Sequence, residues 1–324
     1  MTTIYYGTNR NSNPEQTGFG TEFSANGLAD LRFGEAKIND QDKVESVTTY
    51  PDDAKLGSGH LFSDLQKQMR EKTGDVLIFL HGFNVTFEGA LETATVLQEG
   101  YKIPDQPLLN LVTFSWPSNG KLLHYHRDRH DAKASGLAVA RGLIKLAEFL
   151  RKMNAEDACQ RNLHLLTHSM GCYVLRSALR ELRKEFPRRL PRLFDQIILA
   201  APDEDDDAFE HDHKLAQLPE LANRITVYSN REDKALTLSD WTKGNPDRLG
   251  SDGPRSSRTL HARIDLVDCT KIVRGISEHH YYHKSKSGNV NVVGDIIHVL
   301  AGHESEDIPG RRFLPHNNRF LLGS

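Results

Sequence analysis

Apolar residues recur along this 324-residue chain at two alternating spacings. Short runs that are apolar at nearly every position, such as Val-Leu-Ile-Phe-Leu at 76–80, are typical of strands buried on both faces of a parallel sheet. Stretches with an apolar residue every three to four positions predict amphipathic helices. The resulting strands are predicted at 75–80, 109–114, 162–167, 195–200, 224–229 and 262–267, and the helices at 86–99, 135–152, 172–186 and 290–301.

The regular alternation of strands and helices predicts the α/β fold class, with a mostly parallel central sheet, right-handed crossovers and helices on both faces. Residues 1–60 hold one clear strand followed by polar loop, and we expect antiparallel edge strands there. A chain of this length with 38% hydrophobic residues can bury one substantial core. We therefore predict a single domain over 1–302, followed by a C-terminal tail, 303–324, that lies over the surface or reaches a second subunit.

One strand-to-helix junction carries a serine at its turn. Residues 167–171 read Thr-His-Ser-Met-Gly, between a predicted strand and a predicted helix. A serine hydroxyl is unreactive unless it is lifted clear of the backbone, faces a base and lies beside amide N–H groups that can hold an oxyanion. The sharp turn G-x-S-x-G, called a nucleophile elbow, meets these needs, and Thr167 here replaces its first glycine. We predict Ser169 as the nucleophile and the Met170 N–H as one oxyanion donor.

The strand at 75–80 ends in His81-Gly82-Phe83-Asn84. A sequence of this kind at the end of this strand can supply the second oxyanion N–H, here that of Phe83, and its glycine lets the backbone approach the substrate. A plain strand-to-helix turn is the alternative interpretation. Five further residues at these strand ends are expected to line a substrate pocket: His81, Gly82, Asn84, Trp116 and His168.

The acid and the base of a catalytic triad on this architecture should follow the serine in chain order. Asp233 comes directly after the strand at 224–229 and is the predicted acid. Asp203, after the preceding strand, is the alternative, although its acidic neighbours would also suit a helix N-terminus. The base should be a histidine beyond the last strand, where His279 and His280 are adjacent and His283 is a weaker third candidate. The residues alone leave this choice open.

These motifs, taken together and in order, resemble the bacterial α/β-hydrolases long classed as a domain of unknown function. The opening Ile-Tyr-Tyr-Gly-Thr-Asn-Arg at 4–10, the strand end Phe-Ser-Trp-Pro-Ser at 114–118, and the two tyrosines after the candidate histidines belong to the likeness. It covers roughly residues 1 to 302. The resemblance implies an α/β-hydrolase fold and a serine hydrolase, and it aligns His279, rather than His280, with the base. It does not supply a substrate.

Composition excludes several other classes. A net charge of −3 argues against nucleic acid as a partner, because such binding needs a concentrated positive face. No run approaches the roughly 20 apolar residues of a membrane span, and the N-terminus lacks the features of a signal peptide, so we expect a cytoplasmic protein. The three cysteines are too few for a disulfide framework. We predict no cofactor and no metal, and the sequence leaves the oligomeric state open.

The sequence thus predicts a serine hydrolase that cleaves small or soluble carboxylic esters through Ser169, His279 and Asp233 and an acyl-enzyme intermediate. An acyltransferase, a thioesterase or an amidase would use the same residues. A non-catalytic binding protein of the same fold is the alternative of a different class. The presence of both the serine and the histidine argues against that alternative.

Overall fold

The computed structural model describes residues 1–13, 15, 17–53, 56–71, 74–118, 125–153, 161–233, 235–236, 247–274, 278–283 and 289–323. The strands are β1 (Thr2–Thr8), β2 (Arg10–Ser12), β3 (Phe19–Phe23), β4 (Arg32–Ile38), β5 (Val44–Thr49), β6 (Val76–Leu80), β7 (Asn110–Ser115), β8 (Leu163–His168), β9 (Phe194–Ala200), β10 (Ala222–Ser229), β11 (Ile264–Asp268), β12 (Arg311–Leu314) and β13 (Arg319–Leu322). The helices are α1 (Leu56–Glu71), α2 (Phe87–Gly100), α3 (Tyr125–Lys152), α4 (Gly171–Glu185), α5 (Leu249–Asp252) and α6 (Val290–Leu300).

Eleven of the described strands form one sheet, in the order β12-β13-β11-β10-β9-β8-β6-β7-β1-β4-β5. Every pairing from β13 across to β1 is parallel, and β12, β4 and β5 are antiparallel to their neighbours. The strands β2 and β3 form a separate antiparallel pair. The mostly parallel sheet predicted from the sequence is confirmed, and the expected antiparallel edge near the N-terminus is present as β4 and β5.

Helices cover both faces of the sheet. One core contains residues of α1, α3 and α4, and a second core on the opposite face contains residues of α2 and α6. The strand β8 shows how the sheet separates them, because Leu165 belongs to the first core and Leu166 to the second. Successive side chains of a strand point to opposite faces. A strand buried on both sides therefore needs an unbroken apolar run, which is the pattern in the sequence.

The strands and helices predicted from residue 75 onward are all present, but two helices depart from the prediction. Helix α3 begins at Tyr125, ten residues before the predicted start, because its first turns carry charged and histidine side chains that hide the apolar period. Helix α1, which was not predicted, begins within the stretch up to residue 60 that we expected to be loop and continues to Glu71. Its buried Leu61, Phe62, Leu65 and Met69 form a short apolar stripe interrupted by polar residues.

The C-terminal segment, which we expected to lie over the surface or reach a second subunit, instead forms the hairpin β12–β13 at the edge of the sheet beside β11. Arg311 of β12 forms a buried ion pair with Asp295 of α6, with nitrogen–oxygen distances of 2.6 and 2.8 Å. The Tyr228 hydroxyl donates to the same carboxylate at 2.5 Å. The hairpin is thus part of the sheet.

No helix within the described ranges is long and apolar enough to cross a membrane.

Candidate active site

Ser169 occupies a strained turn between β8 and α4. Its φ is +51°, the left-handed region that costs a non-glycine residue about 1–2 kcal/mol. Three backbone hydrogen bonds hold it there: its N–H donates to the Ala200 carbonyl at 3.0 Å, and its carbonyl accepts from the N–H groups of Cys172 at 3.0 Å and Asp203 at 3.2 Å. The turn therefore has the backbone geometry that the elbow motif predicts.

Two glycines allow the ends of β6 and β8 to touch. A Cβ at Gly171 would lie 2.5 Å from the Leu80 carbonyl oxygen, and one at Gly82 would lie 2.9 Å from His168 Nδ1 and 3.0 Å from Ser169 Cβ. Real Cβ atoms do not approach that closely, so neither position has room for a side chain. Thr167, which replaces the usual first glycine, is the penultimate residue of β8 and is buried, with its hydroxyl 3.0 Å from Cys172 Sγ. Ser169 therefore lies close to Gly82, whose carbonyl group begins the peptide between Gly82 and Phe83.

His81 fixes the orientation of that peptide. Its ring stacks on Trp116 with centroids 5.0 Å apart, and its Nε2 accepts from the Trp116 backbone N–H at 3.1 Å. Burial, together with the charge of Arg10, lowers the pKa of His81 to about 3, so the ring is neutral and its Nδ1–H donates to the Gly82 carbonyl at 2.8 Å. In a trans peptide the C=O and N–H point in opposite directions. The Phe83 N–H is consequently directed away from His81.

The two predicted oxyanion donors are unused. Within the described residues, neither the Phe83 nor the Met170 backbone N–H donates a hydrogen bond. Of the five residues expected to line the pocket, His81, Trp116 and His168 are buried behind the turn, whereas Asn84 is exposed. Gly82 is buried at the contact with Ser169. The three buried rings therefore support the site from behind rather than form its surface.

Asp233 and His279 are hydrogen-bonded to each other. The distance from His279 Nδ1 to Asp233 Oδ2 is 2.7 Å, and the exposed fractions of the two side chains are 14% and 1%. The other carboxylate oxygen, Oδ1, accepts from the backbone N–H groups of Ala235 at 3.1 Å and Leu236 at 3.4 Å. The carboxylate is held on both sides and thereby sets the orientation of the imidazole.

The loop that carries His279 is anchored at several points. His279 itself lies in a 3₁₀ turn, Glu278–His280. The His168 Nε2 lies 3.1 Å from the His279 carbonyl oxygen, and the Tyr101 hydroxyl donates to the Tyr282 carbonyl. The Tyr281 hydroxyl accepts from the Ala201 N–H at 2.9 Å and donates to the Tyr228 carbonyl at 3.1 Å. The paired tyrosines of the motif thus hold the loop against the sheet.

The alternative acid and bases occupy other environments. Asp203 accepts from the Tyr125 hydroxyl at 2.5 Å and lies 3.7 Å from the Arg248 guanidinium. His280 is exposed, and its ring is edge-on to that of His279 with centroids 5.6 Å apart. His283 is buried, and burial lowers its pKa to about 4. The structure thus brings Asp233 to His279 and engages Asp203 in a separate charge network.

Arg10 is a supporting residue whose role the sequence did not reveal. It is fully buried, and burial lowers its pKa to about 9. Its Nη2 donates to the Val85 carbonyl at 2.8 Å and its Nε to the Ser115 hydroxyl at 2.9 Å. The arginine therefore ties the segment after Phe83 to the end of β7. The only sequence signal was a cation directly after the first strand.

The described residues contain no group of three or more His, Cys, Asp or Glu side chains placed to hold a metal ion. The cysteines in these ranges, Cys172 and Cys269, are buried free thiols, and burial raises the pKa of both.

Comparisons with known proteins agree with this architecture. Residues 59–298 match the model of a family described as alpha/beta hydrolase of unknown function (DUF900). An uncharacterized protein of Nostoc sp. (strain PCC 7120) is 26% identical over 219 residues, which cover 53% of this chain and 55% of that protein. The match thus spans only about half the length of the relative.

Solved structures show fainter likenesses. Aspergillus fumigatus lipase B is 11% identical with a TM-score of 0.40, over 72% of this chain and 54% of the lipase. The peroxisomal alpha-beta-hydrolase Lpx1 of Saccharomyces cerevisiae is 10% identical with a TM-score of 0.36, over 98% and 93% of the two chains. Neither likeness is close enough to indicate a substrate. Because the family model matches well over half of the chain, this protein belongs to the α/β-hydrolase family of unknown function.

Proposed function

We propose that this protein is a serine hydrolase that cleaves small carboxylic esters. Ser169 attacks the ester carbonyl, while His279 takes the serine proton and returns it to the departing alcohol. Asp233 orients the imidazole and stabilises its charged form. The N–H groups of Phe83 and Met170 hold the oxyanion, and water then releases the acyl group from the serine.

The observation that carries this proposal is the 2.7 Å hydrogen bond between His279 Nδ1 and Asp233 Oδ2. A carboxylate that accepts from Nδ1 keeps the proton on that nitrogen, so Nε2 is left as the basic atom. A proton acceptor of this kind is what a serine nucleophile requires.

The loop that carries the base lies close to the strand end that carries the serine. The rings of His168 and His279 have centroids 4.6 Å apart, and Ser169 is the next residue after His168. Within the described residues the Ser169 hydroxyl makes no hydrogen bond. Contacts between nucleophile and base are often long in the free enzyme and tighten when substrate binds.

The same machinery would serve a thioesterase, an amidase or an acyltransferase, which differ only in the leaving group or in the acceptor that resolves the acyl-enzyme. None of the described contacts favours one of these over an esterase. A non-catalytic binding protein remains the alternative from a different class, and one experiment separates it from all the enzymes.

That experiment is labelling with a fluorophosphonate, followed by mass spectrometry of the modified peptide. We expect the wild-type protein to be labelled at Ser169 and the Ser169→Ala variant to be unlabelled and inactive on p-nitrophenyl acetate. The substitution removes one oxygen and should leave the melting temperature within a few degrees of wild type. Absence of label on the folded wild-type protein, or full activity of the alanine variant, would refute the proposal.

A further inference from the structure

The first residue of α3 contacts both sides of the proposed oxyanion hole. Tyr125 is half-buried, and its ring meets the ring of Phe83 edge-on, with the ring centroids 5.6 Å apart. Its hydroxyl donates to the Asp203 carboxylate at 2.5 Å. One side chain therefore contacts a residue that carries a proposed oxyanion donor and a residue that supports the serine turn.

Asp203 supports that turn through its backbone. Its N–H donates to the Ser169 carbonyl at 3.2 Å, and the Cys172 N–H donates to the same oxygen at 3.0 Å. This carbonyl belongs to the peptide whose N–H is that of Met170, the second proposed oxyanion donor. In a trans peptide the C=O and the N–H point in opposite directions. A hydrogen bond from Asp203 to the carbonyl thus helps to fix the direction of the Met170 N–H.

A further contact ties the start of α3 to the segment that follows Phe83. The buried Ser118 hydroxyl donates to the Asp128 carboxylate at 2.5 Å and accepts from the Val85 N–H at 3.3 Å. Asp128 lies three residues after Tyr125, and residues at this spacing are neighbours on a helix surface. The start of α3 is therefore joined to the segment 83–85 by a ring contact and, through Ser118, by hydrogen bonds.

The two proposed donors need such a connection. Two N–H groups stabilise one oxyanion only if both lie at hydrogen-bond distance from the same oxygen. The pairing of β6 with β8 ends at Leu80 and Thr167, so both donors lie beyond it, in turns. We propose that Tyr125 is a positioning residue that sets the separation of the two oxyanion donors. The proposal rests on the hydrolase function proposed above.

The test is the Tyr125→Phe variant, which keeps the ring and removes the hydroxyl. Loss of a whole oxyanion donor costs about 10²–10³-fold in kcat, and a displaced donor should cost less. With p-nitrophenyl acetate we therefore expect kcat and kcat/KM to fall together by about 10- to 100-fold, with KM changed less than about twofold. Tyr125→Leu, which also removes the ring contact, should lose more.

Inhibition by trifluoroacetone separates positioning from a loss of stability. The Ser169 oxygen bonds to the ketone carbon, the serine proton passes to His279, and the ketone oxygen becomes an oxyanion. The inhibition constant should rise in Tyr125→Phe by the same factor by which kcat/KM falls, because the adduct resembles the transition state. The pH–rate profile should keep its wild-type shape, because the hydrogen bond between His279 and Asp233 is not altered.

Tyr50→Phe is the matched control. The Tyr50 hydroxyl donates to the Asp64 carboxylate at 2.8 Å, directly after the edge strand β5, so this variant loses the same kind of hydrogen bond away from Ser169. It should keep kcat/KM within about twofold of wild type. Three results would each overturn the positioning role: wild-type kcat/KM in Tyr125→Phe, an unchanged inhibition constant, or an equal loss in Tyr50→Phe.

Fluorophosphonate labelling of the wild-type protein reports separately on the hydrolase function. A wild-type protein that is not labelled at Ser169 would refute the hydrolase and the positioning role with it. A labelled wild-type protein beside a fully active Tyr125→Phe variant would refute the positioning role alone.

Discussion

The Nε2 of His168 lies 3.1 Å from the carbonyl oxygen of His279. The residue before the proposed nucleophile is thus hydrogen-bonded to the backbone of the proposed base, across 111 positions of sequence. Burial and the neighbouring His279 and His280 hold the pKa of His168 well below its ordinary value, so the ring is neutral and can donate this hydrogen bond over the whole physiological range. His168 therefore couples the elbow to the loop of the base.

We expect His168→Phe to lower kcat roughly 10- to 100-fold and to change KM by less than about threefold, because small displacements of a catalytic group reduce rate more than binding. His168→Gln retains a donor and should recover part of the loss. The matched control is His164→Phe on the same strand, where the buried ring lies 3.2 Å from Asp75. That variant should lose stability without losing kcat per folded molecule. Equal kcat in His168→Phe and wild type would contradict the coupling.

For the acid, Asp233→Asn should lower kcat by about 10⁴-fold, because an amide in place of the carboxylate favours the wrong imidazole tautomer. Asp203→Asn should retain most of kcat and lose stability, since Asp203 lies beside Arg248 and accepts from Tyr125. Steady-state kinetics with parallel urea unfolding would separate the two. The reverse pattern would move the acid to the end of β9.

For the base, His279→Ala should lose activity at every pH. His280→Ala should keep at least a tenth of the wild-type kcat/KM, a difference in barrier of about 1.4 kcal/mol or less. We expect this difference because His279 is hydrogen-bonded to Asp233, whereas His280 is exposed. A pH–rate profile of each variant is the measurement. An inactive His280→Ala beside an active His279→Ala would shift the base by one residue.

Stability should fall on acidification. Burial lowers the pKa of His81 from 6.5 to about 3, so the unfolded chain binds one more proton than the folded protein between these values. The contribution of His81 to the free energy of unfolding is therefore complete above pH 6.5 and is lost as the pH falls towards 3. His81→Phe should be less stable at neutral pH and show a shallower dependence on pH in urea titrations. A slope equal to wild type would contradict this assignment.

Two glycines of α3 should respond oppositely to alanine. At Gly142 a Cβ would lie 3.6 Å from Leu31, an ordinary contact, so Gly142→Ala should stabilise the protein by about 1 kcal/mol through helix propensity. At Gly136 a Cβ would lie 2.5 Å from Ser177 Cβ of α4, so Gly136→Ala should destabilise it by about 1–3 kcal/mol. Urea unfolding of the pair measures both. The same sign for both variants would show that α3 and α4 are not packed this closely.

The sequence was most informative where local pattern and local structure coincide. The apolar run of β8 and the Ser-x-Gly motif predicted the strand and the sharp turn at Ser169, because the reversal of the chain is encoded within a few residues. The first ten residues of α3 were not predicted as helix. Their buried side chains include charged ones such as Asp128, so these turns lack the apolar spacing of a helix. The Ser118 hydroxyl donates to the Asp128 carboxylate at 2.5 Å. The spacing of apolar residues cannot predict this contact.

Features that depend on distant contacts were not predictable from pattern. The hydrogen bonds of His168 and Arg10 are made with partners that the fold brings near them. In the sequence alone, His168 is an ordinary histidine and Arg10 is a cation that follows a strand. The hairpin β12–β13 was missed because its strands have four residues each, too few to show a period.

The ion pair between Asp295 and Arg311 affects how this protein can be shortened for experiments. Asp295 lies within the residues that match the family, 59–298, whereas Arg311 lies beyond them. A polypeptide cut at residue 298 would retain a buried carboxylate and lose its cation, and removing one partner of a buried pair typically costs about 3–5 kcal/mol. Such a fragment would also expose the edge of β11 to other chains, which invites aggregation. Expression trials should therefore keep the chain through Leu322, the last residue of β13.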